Sequence, residues 1–111
     1  MMDTTRALSA LQALAQPTRL GVFRLLVAAG PDGIAAGEIA RRMGVVQNTM
    51  SAHLAQLADA GLVSARRDGR SVVYALDVAG TRALLAFLVE DCCGGRPELC
   101  APALADLACP C

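Results

Sequence analysis

Residues 62–76, LVSARRDGRSVVYAL, do most to narrow what this chain can fold into, because the hydrophobic period there changes from 3.6 to 2. Val72, Tyr74 and Leu76 alternate with Ser71, Val73 and Ala75 around a central Asp68-Gly69. Asp-Gly tolerates the positive φ angles of a type I′ turn, so the stretch is expected to be a β-hairpin with a two-residue turn. The 111 residues are enough for one domain, or for one protomer that completes its core by dimerising.

The segments around the hairpin read as helices. Leu8, Leu11 and Leu14 recur at helical spacing. In AQPTRLGVFRLLVAAGPDG, Pro17 suits a first-turn position and Leu20, Phe23 and Val27 share a face, with Gly30, Pro31 and Gly33 as the stop. AAGEIARRMG is a short third helix, with Gly44 fitting the left-handed residue after its end. VVQNTMSAHLAQLADAG follows, with Met50, Leu54 and Leu57 as its core stripe and Gly61 as its stop. AGTRALLAFLVED reads as the last helix. The fold class is therefore mainly α with a small β-hairpin, and the third and fourth helices form a helix-turn-helix candidate.

Composition adds two constraints. Apolar residues make up 55% of the chain, but 22 of them are alanine and only three residues are aromatic, so a core built from them is thin. Leu84, Leu85, Leu88 and Val89 carry more apolar surface than one side of a small domain needs. Such protomers often bury spare faces in each other. Ten arginines balance ten acids, lysine is absent, and the net charge of zero does not itself point to nucleic acid. The distribution says more: Arg41, Arg42, Arg66, Arg67 and Arg70 face only Glu38, Asp59 and Asp68 between residues 33 and 76, whereas the tail is acidic. No run of about 18 apolar residues and no cationic leader is present, so no membrane partner and a cytoplasmic location are expected.

A helix-turn-helix followed directly by a hairpin is the winged-helix arrangement. PTRLGVFRLL, the S-x-H-L run at Ser51 to Leu54, A-G-L-V at 60 to 63, R-R-D-G-R at 66 to 70 and Tyr74 resemble the ArsR/SmtB family of metal-responsive repressors, over roughly residues 6 to 91. The side-chain chemistry agrees. Gln47 and Asn48 can pair with base edges in the major groove, Thr49 and Ser51 allow close approach, and Ala52 can touch a thymine methyl. Arg66, Arg67 and Arg70 flank the hairpin turn, where they could hold phosphate or enter the minor groove. His53, the single histidine, reads as a helix-surface or phosphate-contacting residue; Arg41 and Arg42 read as a solvated face. The resemblance implies a homodimer through the first and last helices, presenting two reading helices about 34 Å apart to a palindromic double-stranded operator.

All five cysteines fall in the last 20 residues, and in a reducing cytosol thiol or metal chemistry is a better expectation than standing disulfides. Residues 1–91 are thus expected to form the DNA-binding and dimerisation domain, and residues 92–111 a cysteine-rich tail. The third helix lacks the cysteines of many arsenical sensors of the family, and the last helix lacks the histidines of its zinc sensors. Cys92, Cys93 and Cys100 resemble a third arrangement, that of arsenite-responsive members with a vicinal pair past the last helix. Three soft thiolates without histidine suit the pyramid of As(III), or Sb(III), better than tetrahedral zinc. Gly94-Gly95 would let the sulfurs converge, and Cys109 and Cys111 are possible auxiliary ligands. Redox sensing and cadmium sensing by the same thiols remain alternatives. A cysteine enzyme is disfavoured, because no C-x-x-C opens a helix and no catalytic base lies near the thiols. A metalloid carrier that never reads DNA is the other rival.

Overall fold

Three of the five described helices begin where the sequence supplies a side-chain acceptor for their first N–H groups. The computed structural model describes residues 2–92. In it α1 (Thr4–Leu14) is capped by Asp3, whose carboxylate accepts from the Arg6 amide at 2.8 Å. Helix α2 (Pro17–Ala29) opens on proline, with Gln16 accepting from the Arg19 amide at 2.8 Å. Helix α3 (Ala36–Met43) ends at Gly44, which adopts the expected left-handed conformation (φ 65°, ψ 34°). Then come α4 (Gln47–Asp59), β2 (Val63–Asp68), β3 (Ser71–Leu76) and α5 (Val78–Cys92), after a two-residue β1 at Ile34–Ala35. Asp77 caps α5 by accepting from the Gly80 amide at 2.9 Å.

Three differences from the sequence expectation have physical reasons. The sheet has three strands, ordered β1-β3-β2 and antiparallel, with Ile34 opposite Tyr74 and Ala35 opposite Val73. Two residues are too short to show a period. In the hairpin, Asp68 pairs with Ser71, so the turn residues are Gly69 and Arg70 instead of Asp68 and Gly69. Gly69 has φ 62° and Arg70 has no positive φ, the pattern of a type II′ turn with glycine first. The third difference concerns the α1 and α2 faces. Ala7, Ala10 and Ala13 are the buried residues of α1 and Val22 and Leu26 those of α2, while Leu8, Leu11, Leu20 and Val27 are exposed. Small alanines let α1 lie close against α2 and α4, and Leu8 and Leu11 point away from the protomer's own core while Leu14 packs half-buried against it.

That core gathers Val22, Leu26, Ile39, Met50, Leu54, Leu57 and Leu62, all fully buried. Each contributes about 1.5–3 kcal/mol relative to exposure. Both faces of β3 are partly covered: Val73 and Ala75 are buried, and Tyr74 packs half-buried against the core. The core thereby fixes α4 between α3 and the hairpin. Among the described residues no helix is long and apolar enough to cross a membrane.

Candidate nucleic-acid interface

Helix α4 has one side committed to the core and the other open. Met50, Leu54 and Leu57 point inward at helical spacing, which turns Asn48, Ser51, Ala52 and Ala55 outward. Gln47 and Thr49 are exposed in its first turn. Five of the residues selected from sequence on this helix, Gln47, Asn48, Thr49, Ser51 and Ala52, are therefore accessible.

Between the start of α4 and the hairpin lies a cleft of about 460 Å³. Gln47 and Ser51 line one side, Arg70, Ser71, Val72 and Tyr74 the other, and Gly37 and Glu38 of α3 close an end. The fold thus brings Gln47 and Ser51 of the helix motif and Arg70 of the hairpin motif into one groove. The other wing arginines differ from each other. Arg66 donates to the Asp32 carbonyl at 2.8 Å, which ties β2 to the loop before β1. Arg67 and Arg70 are exposed and have no hydrogen-bond or ion-pair partner among the described residues.

Glu38 is a groove residue that base-reading logic passes over, although its i,i+3 and i,i+4 spacing to two arginines is legible in sequence. Arg41 Nε donates to its carboxylate at 2.9 Å and Arg42 Nε at 2.7 Å. The Arg41 hydrogen bond, then that of Arg42, lowers the Glu38 pKa from 4.5 to about 2. The arginines are solvated, as expected, and the carboxylate's repulsion of an approaching anion is offset. Because the folded pKa is depressed, any stability from this trio is complete above about pH 4.5 and is lost as pH falls toward 2. We expect the Glu38 carboxyl carbon to titrate near pH 2 by NMR, and to move back toward 4.5 in Arg41→Gln. A midpoint near 4.5 in the unaltered protein would show that the trio does not form.

His53 sits on the shoulder of the buried stripe, half-buried, and its Nδ1 accepts from Arg19 of α2 at 3.3 Å. A guanidinium has no acceptor, so Nδ1 is unprotonated in this pair. Arg19 Nε also donates to the Ala13 carbonyl at 2.7 Å. One arginine therefore joins the α1–α2 corner to α4. Contacts 34 residues apart leave no local signal, and sequence reasoning missed Arg19. Cys92 is the last residue of α5, while Cys93, Cys100, Cys109 and Cys111 lie outside the described residues.

A helix-turn-helix domain family matches residues 14–65. The chain is 32% identical over 88 residues to the HTH-type transcriptional regulator YgaV of Escherichia coli K12, covering 79% of this chain and 87% of that protein. A homodimeric winged helix-turn-helix DNA-binding domain from Mycobacterium bovis, described as a possible ArsR-family transcriptional regulator, superposes with a TM-score of 0.64 at 31% identity. That match covers 87% of this chain and 84% of the other. A crystal structure described as a possible transcriptional regulator for arsenical resistance gives a TM-score of 0.63 at 33% identity, over 72% of this chain and 80% of that one.

Proposed function

Since this chain belongs to the ArsR family of winged helix-turn-helix transcriptional regulators, and so to a family of regulators and not of enzymes, we propose that it is an arsenic-responsive repressor. A homodimer holds a palindromic operator through α4 and the wing, and releases it when As(III), or Sb(III), is bound by Cys92, Cys93 and Cys100. The observation that carries the sensing half is the placement of all five cysteines in the sequence from the last residue of α5 onward, with no histidine among them. A trivalent metalloid wants three thiolates and leaves its lone pair in the fourth direction, and this donor set matches it. The likeness to a structure described as a possible transcriptional regulator for arsenical resistance supports the same inducer.

The DNA half rests on the cleft that joins Gln47 and Ser51 to Arg70. Outward Leu8, Leu11 and Leu85 supply an apolar surface for a second protomer, in keeping with the homodimeric neighbour. Release requires only differential affinity, since a coupling of about 3 kcal/mol changes operator affinity more than a hundredfold. Arg67 and Arg70 contribute charge at the wing. Replacing both with alanine removes four charges from a dimer and is expected to lower the slope of log affinity against log salt by roughly 3 to 4. An unchanged slope would place the wing off the DNA.

The inducer is tested by fluorescence anisotropy on operator DNA with arsenite, antimonite, cadmium, zinc and peroxide. Release by arsenite and antimonite is the expected result. Release by peroxide alone would make the protein a redox sensor, and release by cadmium alone a soft-metal sensor.

A further inference from the structure

Val46 is the residue immediately before α4, and it is unusual twice over. It holds the N-cap position with extended backbone (φ −63°, ψ 149°) but makes no side-chain cap hydrogen bond. Serine, threonine, aspartate and asparagine are favoured there because their oxygens satisfy the first N–H groups, whereas valine satisfies none. Val46 is also 71% exposed, the most exposed large hydrophobic side chain among those described. The turn's need for an apolar anchor is already met by Val45, which packs half-buried against the core. Val46 therefore neither caps the helix nor fills the protomer's interior.

Its position tells what it faces. Gln47 and Ser51 beside it open into the cleft shared with the wing. The contacts of α4 with α1 lie toward its other end, where Gln56 and Asp59 share a pocket with Gln12 and Ala13. Ten residues of helix separate Val46 from Gln56, about 15 Å, so Val46 lies at the end of α4 away from its α1 contacts.

We propose that Val46 is a specificity-determining residue that packs against a thymine C5-methyl group in each operator half-site, next to the bases read by Gln47 and Asn48. A side chain with no donor or acceptor can distinguish bases in the major groove only by apolar contact, and thymine alone among the four presents a methyl there. This rests on the DNA-reading role argued above.

The test uses duplexes selected from a randomised pool by the full-length protein, followed by thymine-to-deoxyuridine substitution at each selected position. One thymine per half-site should weaken wild-type binding about fourfold when its methyl is removed, the worth of one buried carbon. Val46→Ser should stay folded, with an equal or higher melting temperature from the restored cap, and should bind thymine and deoxyuridine duplexes alike at that position. A wild-type consensus with no deoxyuridine-sensitive thymine, or a sensitivity that persists in Val46→Ser, overturns the assignment. Failure to select any duplex would instead contradict the DNA-reading function itself.

Discussion

Leu8→Glu combined with Leu85→Glu is expected to give a folded monomer whose operator affinity has fallen by about two orders of magnitude or more. Leu8 is 54% and Leu85 53% exposed on the single protomer, so neither carboxylate disturbs its interior. Both lie on helices that touch each other, α1 and α5, and in a dimer each would meet an apolar partner surface. A carboxylate held there would lose its water without gaining a counter-charge. The effect on DNA follows from linkage. Two heads joined in one dimer bind the second half-site at an effective concentration in the millimolar range, which adds about 10²- to 10⁴-fold to the affinity of one head. Sedimentation and anisotropy on the same samples check both statements. A double variant that remains dimeric would mean that these leucines do not form the interface.

Gly80→Ala should destabilise the protomer by about 3 kcal/mol or more, the upper range for forced overpacking. The reason lies in a close approach between two backbones. A β-carbon at Gly80 would stand 1.8 Å from the Gly61 carbonyl oxygen, well inside contact distance. Relief requires the start of α5 to move away from the segment that links α4 to β2, and that movement would disturb the Asp77 cap as well. The matched control is Gly37→Ala in α3, where the nearest atom outside the helix is Gln47 Nε2 at 4.0 Å. There the better helix propensity of alanine should leave stability unchanged or raise it by up to about 1 kcal/mol. Chemical denaturation of the two variants should show opposite signs. Equal effects would remove the close approach as the cause.

How far these features could be read from sequence depended on whether their cause was local. The stripe of Met50, Leu54 and Leu57 was legible because a helix of 13 residues repeats its pattern three times, and the hairpin because six residues of β3 show a clear period. The hairpin turn slipped by one residue because Asp68-Gly69 and Gly69-Arg70 both offer glycine a positive φ. Leu8, Leu11, Leu20 and Val27 show the limit of periodicity. It identifies an apolar face without saying whether the chain's own core covers it. Of the apolar residues noted in the sequence on the last helix, only Leu85 is exposed, whereas Leu84 is buried and Leu88 packs half-buried against the core. On the reading side, Gln47, Ser51 and Arg70 could be selected by chemical type alone, while their convergence on one cleft with Glu38 and Tyr74 required the tertiary fold. The bond from Arg19 to His53 is of the same kind.

Thiol-controlled release is the central claim, and its most direct test is an arsenite titration of the protein bound to operator DNA. Wild-type protein and the single variants Cys92→Ser, Cys93→Ser and Cys100→Ser are compared, with Cys109→Ser/Cys111→Ser as the auxiliary pair. Arsenite should release the wild type and the auxiliary variant, while each of the three single variants stays bound with unaltered affinity for DNA. Arsenite-driven release that survives the loss of Cys92 or Cys93 would contradict the proposed three-thiolate site.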